Sequence, residues 1–526
     1  MTISLMLPLV GKTQTDLKRV DKGTGPLSFT RATTATRLNP DTNLIESVAS
    51  GDLREDGRGY YNRLLYSEDF SQAAWVKTNV AVSNDNVLGP NGKTGLAQTL
   101  TASASNGTCL QALIDVSRAR YGSIYLKRKT GSGTIQITLD GGSTWTTVAV
   151  TGDWTRLGAG QTLANPSFGV RFVTSGDAVY AWGAQVADGS SATRYVRSGA
   201  NPAYAPLGVL IEGQRTNMIY PSNLGGAGWS NTNPPCMTCT ENALIAPDGT
   251  LTAPLITATA GDYIGRHLVM TPSFITGHTY NFSFWVKRIS GDIPPQWRID
   301  SSLFAEMHDY TQDLTLGEWH RETCTFTADF TGTVSMQLYY DYTTNNTSAW
   351  SFWGFQLEEG PFPSSYIPTT SAAVTRNSDA VTFANSGNLS GVIGSLVFEC
   401  DSYQGTIFND FYFLDSSSGA GTPILCRNGN YLRFWDGNAS TYITERPFSD
   451  TARYILVAAW GGGAARITRN GLTPIGAGFS GNQGAGSTSS IGSYLSDPTY
   501  FLFGHIKNLL IFNRALFDAE MIAITS

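Results

Sequence analysis

The chain repeats itself, and this repetition limits its possible folds more than any other feature. Trp75 in NRLLYSEDFSQAAW (62–75) recurs as Trp229 in TNMIYPSNLGGAGW (216–229), an offset of 154 residues. Further matches follow in the same order: YLKR and WVKR at an offset of 160, GDWTR and GEWHR at 165, AWGAQVADG and FWGFQLEEG at 171. An offset that only grows is expected of a duplicated module whose second copy has longer loops.

Each copy shows the alternation of half-buried β-strands. In TIQITLD, Ile135, Ile137 and Leu139 alternate with polar residues, and VSMQLYYD (334–341) has the same period of two. Charged residues make up only 14% of the chain, against about 25% in ordinary soluble domains, while glycine reaches 56 residues. Low charge, many turns and short strands predict an all-β chain containing two tandem jelly-roll β-sandwiches.

The pattern changes after Thr369, where GSLVFECDSY, YLRFWDG and RYILVAAW indicate more strands between Gly- and Ser-rich stretches. We expect a third β-sandwich there, and DAEMIAI near the end is the one candidate helix. The predicted domains are an extended N-terminal arm (1–61), two jelly rolls (62–206 and 207–374) and the third sandwich (375–526).

Charge excludes some classes of function. The net charge is −6 and there is no dense run of Lys or Arg, so general attraction to nucleic acid or to an anionic membrane is not expected. The apolar N-terminal segment ISLMLPLV is short and contains Pro8, which argues against a membrane span.

Three segments resemble parts of tailed-bacteriophage virion fibre proteins, which occur as head spikes or tail fibres. They are SFTRATTATRLN (28–39), NRLLYSEDFSQAAW (62–75) and LGVLIEGQRTNMIYPSN (207–223). In that family an FTRA-type segment precedes a GLLIEGxRTNLL-type segment, which runs into a YSEDF…W module. This chain departs from that order, because the IEGxRTN phrase stands only before the second module.

The modules are also similar to carbohydrate-binding jelly rolls appended to glycoside hydrolases, and GHIKNLLIFNRALFDAEMIAI (504–524) resembles the end of laminin-G/concanavalin-A-like sandwiches. These resemblances imply a structural protein of the virion surface, assembled in the bacterial cytoplasm, that binds host polysaccharide. The arm would then dock on other virion proteins. Because the edges of extended strands generally need a partner strand, we also expect a homo-oligomer, whose linked sites would gain avidity.

Sugars are bound by aromatic faces together with a few planar polar groups. The candidate residues are Trp285, Lys287, Arg298, Asp300, Gln337, Tyr339 and Asp341 in the second module, Tyr125 and Gln136 in the first, and Trp435 and Asp436 in the third domain. If the strands of the second module share one concave sheet, its residues form an aromatic–polar cleft. The alternatives are that Trp285 and Tyr339 pack against a neighbouring subunit or loop, and that Trp435 lies in a core.

A catalytic function is the main alternative to binding. Glycoside hydrolysis needs two carboxylates, and Glu399 and Asp401 share one face of a strand. Some concanavalin-like glucanases have a third carboxylate where this chain has Gln404, so we expect no catalytic residue here and an exposed strand face instead. A polysaccharide depolymerase and a purely architectural decoration protein remain the competing hypotheses.

Structural Ca²⁺ is the one cofactor that the sequence suggests, held by loop carbonyls and carboxylates to which SNDN (83–86) and Asp188 or Glu359 would contribute. The repeated Trp-Gly-x-Gln is interpreted as the closing strand of each module. Strict alternation would place Trp182 and Gln185 on opposite faces, with the tryptophan in the core, and the same holds for Trp353 and Gln356.

Overall fold

A computed structural model of the chain describes residues 3–8, 28–39, 42–90, 97–193, 195–224, 229–230, 237–258, 264–291, 296–300, 305–308, 314, 316–339, 348–401, 411–415, 423–428, 431–436, 442–445, 454–479, 487–494 and 497–525. The chain forms two compact units. Unit 1 comprises Met1–Gly57 and Gly208–Ser526, and unit 2 comprises Arg58–Leu207.

The N-terminal segment contributes short strands rather than a core of its own. They are β1 (Ile3–Pro8), β2 (Ser28–Thr30), β3 (Ala35–Leu38), β4 (Ile45–Val48) and β5 (Glu55–Asn62).

Unit 2 is the first jelly roll. Its strands are β6 (Val76–Thr78), β7 (Val80–Val87), β8 (Ala97–Ala102), β9 (Gly107–Ala112), β10 (Arg118–Thr130), β11 (Ile135–Thr138), β12 (Thr146–Val148), β13 (Thr155–Leu163), β14 (Ser167–Phe172) and β15 (Ala178–Asp188). They form two antiparallel five-stranded sheets in the orders β13-β10-β15-β8-β7 and β12-β11-β14-β9-β6. The alternating Ile135 and Ile137 point into the core between the sheets, where Leu126 and Phe168 also lie.

The second jelly roll belongs to unit 1 and has the same two-sheet plan. After β16 (Ala203–Ile211) and β17 (Arg215–Asn217), its strands are β18 (Trp229–Ser230), β19 (Met237–Leu244), β20 (Ala253–Ala258), β21 (Ile264–Phe274), β22 (Thr279–Ser290), β23 (Gln296–Asp300), β24 (Ala305–His308), β25 (Trp319–Thr327), β26 (Gly332–Tyr339) and β27 (Ala349–Glu359). The sheet orders are β19-β20-β27-β22-β25 and β18-β21-β26-β23-β24.

The third sandwich follows, with described strands of two to nine residues. They are β28 (Val374–Arg376), β29 (Ala380–Ala384), β30 (Gly394–Cys400), β31 (Phe411–Asp415), β32 (Pro423–Asn428), β33 (Tyr431–Asp436), β34 (Tyr442–Glu445), β35 (Tyr454–Gly461), β36 (Ala464–Arg469), β37 (Ile475–Gly478), β38 (Thr488–Ile491), β39 (Ser493–Tyr494), β40 (Asp497–Phe501) and β41 (Gly504–Phe512). Helix α1 (Asp518–Thr525) lies where DAEMIAI predicted it. No helix in the described part of the chain is long and apolar enough to cross a membrane. The predicted all-β fold with three sandwiches is confirmed.

The arm does not stand apart from the rest of unit 1. Strand β1 pairs with β41, and β2 pairs with β29, both antiparallel. Strands β3 and β4 pair with each other as a hairpin. The partner strands that we expected from another subunit or virion protein are therefore supplied to these edges by the same chain.

The duplication extends to individual hydrogen bonds. In unit 2, the Asn62 amide nitrogen donates to the carbonyl oxygens of Ala184 and Val196 at 2.8 and 2.9 Å. In the second jelly roll, Asn217 donates to those of Phe355 and Ile367 at 3.0 and 2.9 Å. Both asparagines lie in the segments that begin the repeat, and they bind to carbonyl groups near its end. The shared phrases therefore mark the contacts that join the two ends of each module, which we call the frame.

The Trp-Gly-x-Gln phrase contains a β-bulge, and the face assignment made from alternation is wrong. Trp182 pairs with Tyr125, and Gln185 pairs with Ser123, with a register shift between them. Because Ser123 and Tyr125 share a face, Trp182 and Gln185 share it too. Gly183 makes this possible with a φ of +63°, and Gly354 repeats it at +69°. Both tryptophans are buried, yet neither belongs to the core between the sheets.

A buried ion network holds unit 1 together. Arg54 contacts the carboxylates of Glu212, at 2.8 Å, and Asp379. Arg31 also contacts Asp379, at 3.0 Å, and Arg376 approaches Glu212 at 3.4 Å. All five side chains are almost completely shielded from solvent. Burial opposes the charged form of Glu212, but Arg376 and Arg54 lower the pKa of its carboxyl below the usual range.

We expect Arg54→Met to destabilise unit 1 by about 3–5 kcal/mol, because it leaves two buried carboxylates short of a counter-charge. Denaturant unfolding of the full chain would measure this loss. Arg466→Met is the matched control, since Arg466 pairs with Asp518 on the surface, and it should change stability by less than about 1 kcal/mol. A loss below 1 kcal/mol for Arg54→Met would contradict the structural role of the network.

Candidate functional site

The fold separates the residues predicted to bind sugar in the second jelly roll. Trp285 and Lys287 lie on β22, whereas Arg298 and Asp300 lie on β23 and Gln337 and Tyr339 on β26. Strand β22 belongs to one sheet, and β23 and β26 belong to the other. The condition for a single aromatic–polar cleft, that all these strands share one sheet, is not met.

Trp285 packs within its own chain. Its ring lies 5.7 Å from that of Trp353 and 5.5 Å from that of Tyr366, both edge-on, and the Arg321 guanidinium lies 4.6 Å from the ring centroid. This group borders Ile45 of the arm hairpin. Lys287 extends over the ring of Trp319, at 5.8 Å. The packing alternative therefore describes Trp285 well, but its partners are intrachain.

A cleft of about 450 Å³ lies beside this aromatic group. It is bordered by Trp285 and Arg321 of the jelly roll, Phe362 and Pro363 after β27, and Arg37 and Asp56 of the N-terminal segment. The arm hairpin thus forms one wall of the cleft, which no prediction from the isolated modules could include.

The first jelly roll repeats the aromatic group. Tyr125 lies 5.5 Å from Trp182, and Trp182 lies 4.6 Å from Tyr195. Arg156 lies 5.5 Å from the Tyr125 ring and donates to the Ser123 hydroxyl, as Arg321 donates to that of Ser283. Tyr125 is therefore part of the duplicated frame.

Gln136 lies in a different setting, in a polar row across the opposite sheet of unit 2. Residues of five neighbouring strands stand side by side in the register: Thr78 on β6, Thr108 on β9, Arg171 on β14, Gln136 on β11 and Thr147 on β12. All five are half-buried or exposed. Four strand spacings make the row roughly 19 Å long. We call these five residues the polar row.

Arg171 is fixed at the centre of the polar row. Its Nε donates to Gln136 Oε1 at 2.9 Å, and its Nη2 donates to the same oxygen. The half-buried Trp145, in the turn before β12, lies with its ring 4.3 Å from the guanidinium carbon. Gln136 in turn donates to the Thr147 hydroxyl at 3.2 Å. An arginine held along one edge by an amide oxygen and on one face by an indole is a pre-organised planar donor.

Sequence reasoning missed Arg171 and Trp145. The signal for Arg171 was present, because SFGVRF alternates Phe168, Val170 and Phe172 with Gly169 and Arg171. The three apolar residues are buried, which leaves Arg171 on the outer face. Trp145 follows a Gly-Ser turn and offered no comparable signal.

The second jelly roll also pairs an arginine with a glutamine on the equivalent strands, but each residue stands on the other strand of the pair. The register pairs Arg298 with Gln337, as it pairs Gln136 with Arg171 in unit 2. The side chains of Arg298, Asp300, Gln337 and Tyr339, and those of Trp435 and Asp436 on β33, lie outside the described residues, as does the whole of Asp341. Their roles in binding stay predictions.

The carboxylate pair tested for catalysis faces the protein interior. Glu399 is only 6% exposed, so the expected exposed strand face is wrong at this position. Strand β30 lies between β35 and β41 and packs on both faces, on one side against α1. Asp401 contacts His505 Nδ1 at 2.8 Å and Lys507 at 3.4 Å.

His505 is clamped between two carboxylates, since its Nε2 lies 3.1 Å from Asp56. Burial alone would lower the pKa of His505, but Asp401 and Asp56 raise it from 6.5 to about 9. Residues 449 positions apart in the sequence make this contact, so no local pattern could have indicated it.

The acidic residues suggested for Ca²⁺ each contact a basic residue of the same chain. Asp85 pairs with Lys129, Asp188 with Arg120, and Glu359 with His278. In the described part of the chain, no group of three or more His, Cys, Asp or Glu residues could hold a metal ion.

No family profile and no curated protein matches the sequence. Among solved structures, the chain is similar to the tandem CBM22 domains of Paenibacillus barcinonensis Xyn10C (13% identity, 58% of this chain, 99% of that one, TM-score 0.22). It is also similar to the tandem CBM51 modules of a family 98 glycoside hydrolase from Streptococcus pneumoniae (10% identity, 64% and 99% coverage, TM-score 0.22). At TM-scores this low the similarity does not establish a common fold.

The histidine clamp predicts a pH dependence. Because its folded pKa of about 9 exceeds the unfolded 6.5, its stabilisation is complete below pH 6.5 and is lost as pH rises towards 9. We expect unit 1 to lose roughly 1.4 kcal/mol per pH unit across that range, measured by urea unfolding. Unit 2 contains no histidine and serves as the internal control. If His505→Gln has the same pH profile as the unchanged chain, the clamp does not control stability.

Proposed function

We propose that this chain is a non-enzymatic polysaccharide-binding protein whose described binding surface is the polar row of unit 2. The observation that supports this most directly is the arrangement of Arg171, Gln136 and Trp145. These three side chains are held together on an outer sheet face. The guanidinium and the amide can hydrogen-bond to the hydroxyl groups of a sugar, and the indole offers an aromatic surface for its C–H groups.

The shape of the polar row suits a polymer better than a single sugar. Hydroxyl groups of threonine flank Arg171 and Gln136 on both sides, so hydrogen-bonding groups continue over roughly 19 Å. The row is open along the sheet, whereas the cleft beside Trp285 is walled on one side by the arm. Repeated weak contacts along a chain of sugars then supply affinity.

We further propose that the polysaccharide belongs to a bacterial host surface and that the chain acts on a virion during adsorption. The support is the resemblance of residues 28–39, 62–75 and 207–223 to phage fibre proteins. The position of the gene relative to capsid and tail genes tests this setting separately from binding.

Trp145→Ala and Arg171→Met should each weaken retention by host polysaccharide at least tenfold, because Arg171→Met removes the guanidinium and Trp145→Ala removes the ring that covers one of its faces. Affinity electrophoresis of the full chain in gels containing the polysaccharide measures the effect. Arg197→Met is the control, since Arg197 is 68% exposed in the same unit but pairs with Glu68 away from the row. If the gel retains the wild type and retains both variants equally well, binding occurs at another surface.

The depolymerase alternative is tested by release of reducing ends from host capsule or lipopolysaccharide. We expect none, because Glu399 is buried and Asp401 is occupied by His505 and Lys507. Release that disappears in Glu399→Gln would establish the enzyme instead. A chain that binds no host polysaccharide even at millimolar concentration would be an architectural decoration protein.

A further inference from the structure

The polar row contains one positive charge that no carboxylate of the described residues neutralises, and this charge indicates which class of polysaccharide it binds. Four of its residues are neutral, and Arg171 is its one charged member. Among the described residues, Arg171 contacts Gln136 and Trp145, which are both uncharged, and forms no ion pair with a carboxylate. Most of the other arginines of unit 2 form ion pairs, for example Arg120 with Asp115 and Asp188, and Arg63 with Asp115. Arg156 is an exception, but it donates to Ser123 and Thr193 within the aromatic group.

The neighbours along the strands do not neutralise the charge either. Two residues away on the same face lie Gly169 on β14, Thr138 on β11 and Leu110 on β9. The next acidic residue beyond β11 is Asp140, four positions or about 13 Å from Gln136 along an extended chain. Its carboxylate accepts from Thr144 and Thr138 within its own turn.

The guanidinium also has a free edge in a fixed orientation. Nε and Nη2 both donate to Gln136, and the Trp145 ring covers one side of the plane. Nη1 has no hydrogen-bond partner in the described part of the chain. A group held in place before binding loses little conformational entropy when it binds, and a fixed guanidinium is matched to carboxylate geometry.

We propose that the polar row recognises an acidic polysaccharide, with a carboxylate of a uronic-acid-type sugar bound at the Nη1 edge of Arg171 and the adjoining sugars along the threonines. This inference rests on the proposed function and specifies its ligand class. The chain as a whole has a net charge of −6 and would repel a polyanion. Attraction would therefore be confined to the local positive charge at this surface.

The test compares binding of the full chain to a set of uronate-containing bacterial polysaccharides, to the carboxyl-reduced form of each and to sulfated polysaccharides, by glycan array and affinity electrophoresis. We expect at least tenfold tighter binding of at least one acidic form than of its reduced form, with affinity falling as salt rises from 50 to 500 mM. Arg171→Met should abolish the preference, and Arg171→Lys should keep the salt dependence but lose affinity. Arg197→Met should behave as the wild type.

The outcomes separate the two proposals. Equal binding of acidic and reduced forms, weakened by Trp145→Ala, would overturn the acidic ligand and leave polysaccharide binding intact. Preference for sulfated polymers over uronates would overturn the assignment of a carboxylate ligand and would show a site that binds sulfate groups instead. Binding to host polysaccharide but to no acidic member of the set would overturn the acidic ligand alone, and binding to neither would overturn both proposals. Thermal unfolding of each variant separates loss of the contact from loss of the fold.

Discussion

The buried network of three arginines and two carboxylates is the interaction on which unit 1 depends. Arg31 and Arg54 come from the N-terminal segment, Glu212 precedes the second jelly roll, and Asp379 and Arg376 lead into the third sandwich. No member can leave without stranding a charge away from water. This fixes the arm on the body of unit 1, which places the β3–β4 hairpin beside Trp285 and brings Asp56 to His505.

The same network gives a physical meaning to the phrases that carry the fibre resemblance. Arg31 lies in SFTRATTATRLN and Glu212 in LGVLIEGQRTNMIYPSN, and both are buried in this fold. Their role here is to join segments far apart in the sequence rather than to present a surface to a partner. Glu212 of the IEGxRTN phrase contributes its carboxylate to this network within unit 1.

The duplicated modules keep their frame and change their outer faces. Asn62 and Asn217 make equivalent hydrogen bonds, and so do Ser67 and Ser222, whose hydroxyls meet Tyr195 and Tyr366 at 2.7 and 2.6 Å. The polar row differs between the copies. The first jelly roll has glutamine on β11 and arginine on β14, whereas the equivalent strands β23 and β26 have arginine and glutamine. A frame tolerates little change because its polar groups are buried, whereas an outer face is free to adapt to a ligand.

The sequence by itself determined the duplication, the all-β class and which residues of TIQITLD face a core, because alternation and repetition are local properties of the chain. It also selected Gln136, though not its partners. Only the tertiary structure decided the rest. The bulge at Gly183 reversed the predicted face of Trp182, which lies beside Gln185 and outside the core, since one extra residue shifts the alternation. Arg171, Gln136 and Trp145 meet because β14, β11 and the turn before β12 lie side by side, and strand order within a sheet is set by long-range pairing rather than by any local pattern.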